Sequence, residues 1–189
     1  MIKHTSLLLL PFVFASLASL VTANELDLRI TDDSLNVHYS IESNESSLVY
    51  GLGYFFEDAA NSVNVANFDL HSKGPIDIGM LEAIAGLGIQ ANLFKEGGID
   101  GAAIGIGGTI RVKAHSTYDL WIESALHYAP NILAFSDSDD FLRFLIQVDY
   151  GVTENAYASL GFQSIDAGIK GGDDQSFESS LFLGMKLQF

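Results

Sequence analysis

The sequence has no cysteine. That removes a disulfide framework and any thiolate metal site. Basic residues are scarce: 9 Lys and Arg stand against 24 Asp and Glu, a formal net charge of −15. Phosphate contacts are made largely by Lys and Arg, so this balance argues against nucleic acid as a partner. After residue 23 only two prolines remain, Pro75 and Pro130, and no stretch there is long and apolar enough for a helical span. Apolar residues are not lacking. At 48% hydrophobic over 189 residues, the chain has the material for one packed domain and is not disordered.

The first 23 residues read as a cleaved secretory signal. Lys3 supplies a short positive region, Leu7–Ala15 an apolar one, and Val21-Thr22-Ala23 small residues ahead of a cut before Asn24. The expected domains are therefore a signal peptide, 1–23, and a barrel, 24–189.

Beyond it the chain alternates almost throughout. Phe189, Leu187, Met185, Leu183, Leu181, Ser179 and Phe177 share one face of a terminal strand; Gln188, Lys186, Gly184, Phe182, Ser180 and Glu178 share the other. Similar runs occupy Leu81–Leu93, Ala102–Lys113, Tyr118–Tyr128 and Phe141–Val152. Shorter ones lie at Leu26–Ile30, Leu35–Ile41, Leu48–Phe56 and Ala156–Gln163. Val63–His71 fits least, because its apolar phase shifts after Val65. Met80–Ile89 could pass for an amphipathic helix, although Gly86 and Gly88 oppose it. Both prolines are expected in connections, Pro75 in the turn Ser72–Gly79 and Pro130 in the loop Ala129–Asp140, since proline cannot donate to a ladder.

Several runs exceed the usual soluble strand of about 5–6 residues and match the ~9–11 of a tilted transmembrane strand. Aromatics gather near the ends of the apolar faces: Tyr54, Phe56, Tyr118, Tyr128, Tyr150, Phe177 and Phe189. The expected fold is an all-β, antiparallel, up-and-down transmembrane barrel of ten strands. Eight is the alternative, if Leu26–Ile41 lies outside the wall. In lipid such a sheet must close, because no peptide group may stay unpaired. With the last strand ending in the periplasm, the five outer loops hold 12 acids and only Lys95 and Lys170 as bases. Divalent cations are a candidate bridge from these loops to anionic lipid headgroups.

The stretches Leu87-Gly88-Ile89-Gln90, Gly105-Ile106-Gly107-Gly108-Thr109, Leu120–Pro130 and Leu181–Phe189 resemble the YfaZ family of outer-membrane proteins. The resemblance implies an outer-membrane barrel of a Gram-negative bacterium with no assigned activity. The closing Phe189, with Leu187 and Met185 before it, also resembles the signal read by the barrel-insertion machinery.

No catalytic or cofactor constellation is evident. Ser124 falls on the face opposite Glu123 and His127, so the three cannot form a triad. His115-Ser116 has no carboxylate close in sequence, and His38, His71 and His127 lack metal-ligand spacing. Gly105-Ile106-Gly107-Gly108 lies in a strand pattern and opens no helix, so no phosphate loop is indicated. The candidate site is a set of lumen charges: Glu82, Arg111, Lys113, Asp119, Glu123, Arg143, Asp149, Glu178 and Lys186. Paired with one another, they would plug a narrow barrel, which is the expected structural or interaction role. Left open, with Gly86, Gly88, Gly105 and Gly107 widening the lumen, they would line a porin-like channel for small solutes or ions.

Overall fold

The computed structural model describes residues 23–43, 46–58, 61–115 and 117–189. The proposed signal, apart from Ala23, lies outside them, as does Ser116. Eleven strands form: β1 (Ala23–Ile30), β2 (Ser34–Glu42), β3 (Leu48–Glu57), β4 (Val63–Ile78), β5 (Leu81–Glu96), β6 (Ile99–His115), β7 (Leu120–Ala129), β8 (Ala134–Ser136), β9 (Ser138–Thr153), β10 (Ala156–Ile169) and β11 (Gln175–Gln188). All pairings are antiparallel. β1 pairs with β11, and β5 with β6, so ten strands close into a barrel, with the three-residue β8 added against β6. Ten strands, not eight, make the wall, and Met80–Ile89 is strand and turn rather than helix.

The register sets the barrel's shape. One path across the ladders runs Ile30, Leu35, Phe56, Asn64, Lys95, Asp100. The path leaving Ile30 the other way runs Leu183, Leu160, Val148, Ile122, Val112. The two meet β6 twelve residues apart, at Asp100 and Val112. Ten strands with that stagger tilt by about 40° and enclose a wall of about 10 Å radius.

Alternation places side chains as the sequence implies in most strands. Leu52, Leu87, Leu126 and Leu183 point outward and are half or more exposed. Trp121 and Phe182 are buried inside. The connections after β1, β3, β5, β7 and β10 gather at one end, and Asn24 and Phe189 pair at the other.

Several expectations need correction. Phe177 is buried inside, not outside: Ile165 pairs with Glu178 and Asp166 with Ser176, so Phe177 is the extra residue of a bulge that resets the alternation. The proposed turn Ser72–Gly79 is mostly strand, because β4 follows β5 to Ile78 and reverses at Gly79 and Met80. Pro75 is therefore in a ladder, paired with Ile84, but β3 ends its pairing with β4 at Leu48 and Ser72. The backbone amide of Lys73 still points to the β3 side, so the missing amide of Pro75 falls on an open edge. Similarly, the outer connection around Lys95 is short: β5 and β6 pair as far as Glu96 and Ile99, leaving Gly97 and Gly98 as the turn, both at positive φ. Tyr118 lies in the turn before β7, with its ring 4.9 Å from that of His115.

Val63–His71 fits its alternation poorly because the lumen changes character along its length. At the loop end the interior is apolar: Phe55, Val65, Phe94, Phe141, Ile165 and Phe177 form the buried cluster, with Leu133 from a short 3-10 turn packed against it. Val63 and Val65 belong to this layer, whereas Asn67, Asp69 and His71, on the same face of β4, belong to the polar layer below.

Candidate functional site

The polar layer is built over bare backbone. His71 on β4 and His127 on β7 are separated by two strands, and the residues registered between them are Gly88 and Gly107. A Cβ at Gly88 would lie 2.6 Å from the His71 ring, and one at Gly107 2.8 Å from the His127 ring. With both absent, the rings lean over the wall and meet, Nε2 to Nε2, at 2.7 Å. These glycines therefore make room for imidazoles rather than widening a channel. His71 Nδ1 lies 3.4 Å from Asp69 Oδ2, and His38 Nε2 lies 2.8 Å from Asp69 Oδ1. Asp69 in turn packs over Gly51, where a Cβ would lie 2.2 Å from Oδ2. The result is a continuous chain, His38–Asp69–His71–His127, lining a cavity of about 80 Å³. Among the described residues no group of three or more His, Cys, Asp or Glu is arranged to hold a metal ion.

One layer further from the loops lies an ion network. The Lys186 ammonium, almost fully buried, donates to Glu123 at 2.6 Å and Asp149 at 3.1 Å, with Glu25 at 3.6 Å. Arg111 stands 3.6 Å from Asp149 and 4.0 Å from Glu123, and its guanidinium lies over the Trp121 and Tyr157 rings. Asp119 accepts from the Trp121 indole at 2.7 Å. Ser159 and Gln147 donate to Asp149. Arg29 and Asp27 form a separate buried pair at 2.6 Å. Burying so many charges is tolerable only where each finds partners. Beyond this network a vestibule of about 800 Å³ opens toward the end that holds Phe189.

Of the nine predicted lumen charges, Arg111, Glu123, Asp149 and Lys186 come together. Asp119 joins them through Trp121. Glu82 and Lys113 pair at 3.5 Å, with Glu82 largely exposed. Arg143 donates to Asn67 at 2.9 Å and forms no carboxylate pair among the described residues. Glu178 is buried apart, with one carboxylate oxygen lacking a partner. The sequence reading missed Asp27, Arg29, Asp69 and the histidine chain. Their inward parity is visible in the sequence, but the meeting of His71 and His127 depends on Gly88 and Gly107, on the two strands between them. Phe189 and Met185 face outward and are exposed, with Leu187 half-buried between them.

These features define a closed, ten-stranded antiparallel barrel with a polar and ionic network inside it. No family model matches the chain, and no curated protein sequence matches it. Among solved structures it is similar to a bacterial polysaccharide outer membrane secretin, at 10% identity and a TM-score of 0.47. The likeness covers 82% of this chain and 56% of that one, so the chain spans little more than half of that protein's length.

Proposed function

We propose that this protein is an integral outer-membrane barrel of a Gram-negative bacterium, of the YfaZ type. Its lumen is closed, and its role is structural or interactive rather than enzymatic. The observation that carries the reading is the inversion of a soluble protein. Leucine, isoleucine, tyrosine and phenylalanine side chains stand exposed around the outer wall, while Lys186, Asp149, Asp69 and Gln147 are buried inside. Barrel closure supports it, since a lipid-facing sheet tolerates no open edge. On this reading Phe189, Leu187 and Met185 engage the barrel-insertion machinery. The acidic loops meet lipopolysaccharide at the outer surface, with divalent cations between them.

The lumen is plugged twice, by the ion network around Lys186 and by the phenylalanine layer at the loop end. A narrow channel is the second reading, favoured by the 800 Å³ vestibule. Cell fractionation combined with heat-modifiable gel migration tests the placement. Recovery in the outer-membrane fraction with a compact unheated band is expected; a soluble, detergent-independent monomer contradicts it. Arg111→Ala and Arg143→Ala separate the lumen readings. Lower melting or new conductance is expected from a plug, and neither change would count against one.

A further inference from the structure

Two imidazoles from strands that are not neighbours meet inside the barrel, ring edge to ring edge. His71 and His127 stand 4.9 Å apart between ring centroids, with Nε2 facing Nε2 at 2.7 Å. Two imidazoles bound through Nε2 to one tetrahedral ion, at metal–nitrogen distances of ~2.0–2.1 Å, have centroids about 5.2 Å apart and nitrogens about 3.3 Å apart. The centroid spacing is therefore already close to that of a shared ion, and the nitrogens need only tilt away from each other. Both rings lie over glycine, so no side chain of Gly88 or Gly107 opposes that tilt. Behind His71 stands Asp69, whose Oδ2 lies 3.4 Å from Nδ1. A carboxylate on the far nitrogen is the usual support of a metal-binding histidine.

The surroundings suit a cation. Both rings border the 80 Å³ cavity, which has room for about two or three waters. Its charged lining is four carboxylates, those of Glu25, Asp27, Asp69 and Glu123, against Arg29, Lys73 and Arg143. Arg29 is already paired with Asp27, and Arg143 donates to Asn67. Gln90 lies on the same face of β5 as Gly88 and lines the cavity too. It is buried, and its carbonyl oxygen has no partner; nor has Asp27 Oδ1. Buried acceptors left bare in a polar cavity call for a donor or a cation. Glu25, Ser40, Lys73, Thr109 and Glu123 line both this cavity and the 800 Å³ vestibule, so the two adjoin through a polar neck.

We propose that His71 and His127 together take up one divalent transition-metal ion, of the zinc or copper kind, through the vestibule. Imidazole nitrogen selects such ions over magnesium and calcium, which prefer oxygen. The protein supplies two nitrogens, and water in the cavity fills the remaining positions. The hydrogen held between the rings moves to His127 Nδ1, so both imidazoles stay neutral and each offers Nε2 to the ion. Once bound, the ion ties β4 to β7 across the two strands between them.

The test is titration of zinc, and separately of copper, into the full barrel folded in detergent and stripped with a chelator. One ion per chain is expected, with a raised melting midpoint, undiminished by excess magnesium. His71→Gln and His127→Gln should each weaken binding at least tenfold, and Asp69→Asn by roughly 10–100-fold, the usual effect of removing the group behind a ligand. His115→Gln, in the connection between β6 and β7, should change nothing. Electron paramagnetic resonance of the copper form of the unmodified chain should show splitting from two imidazole nitrogens. That spectrum decides alone if a histidine variant fails to fold. No bound ion, or a copper spectrum with oxygen ligands only, overturns the proposal. So does binding that survives both His71→Gln and His127→Gln, which places the ion on the acidic loops.

Discussion

Gly88 and Gly107 do their work through the side chains of others. Each lies directly beneath an imidazole, and Cβ atoms there would strike the His71 and His127 rings and the neighbouring carbonyls of Leu70 and Leu126. Gly107→Ala should therefore separate the rings and lower stability by about 1–3 kcal/mol, the usual cost of overpacking; chemical denaturation of the detergent-folded barrel checks this. The 2.7 Å ring contact also constrains protons. Two nitrogens this close share one hydrogen, so one Nε2 donates and the other must be bare. If His71 Nδ1 donates to Asp69, His71 Nε2 is the acceptor and His127 Nε2 the donor. Ring-nitrogen NMR above the imidazole range should show that asymmetric pair, and two like tautomers would refute it. Lys186 is the other decisive residue. Lys186→Ala leaves Glu123 and Asp149 with only the more distant Arg111 as a shared cation and should cost about 3–5 kcal/mol. Adding Glu123→Gln should recover part of that loss, because one uncompensated charge is then removed.

Strands show where sequence reading succeeds and where it stops. The alternation of β7, β9 and most of β11 was legible because each has one apolar face along its whole length. β4 was hard to read because its inward face passes from the phenylalanine layer into the polar layer, so its hydrophobic phase changes while its geometry does not. Phe177 was misplaced for a different reason: a bulge inserts a residue without altering the local composition. Four of the nine lumen charges formed the core of the network because parity alone carries them inward. The histidine chain was not legible, since it needs the register of β4 through β7. Pro75 marks the limit of a rule about proline. It is tolerated because only β5 borders that part of β4. Pro75→Val should leave the melting midpoint within the ~0.5 kcal/mol scatter of surface changes. Ile89→Pro, bordered by Leu70 and Ile106 on both sides, should abolish the compact unheated gel band.

At the scale of the molecule, strand number and stagger decide what the interior can be. A wall of about 10 Å radius leaves room for side chains and little else. Here that room is taken in order by a phenylalanine layer, a histidine–carboxylate chain and the Lys186 network, with a larger open volume toward the Phe189 end. On the membrane reading proposed above, the apolar outer face meets lipid and the packed layers inside close the lumen. The most direct test is planar-bilayer recording on refolded protein whose insertion has been verified by protease protection. The account predicts an inserted, silent barrel in concentrated potassium chloride. Regular single-channel steps from the unmodified chain would contradict it.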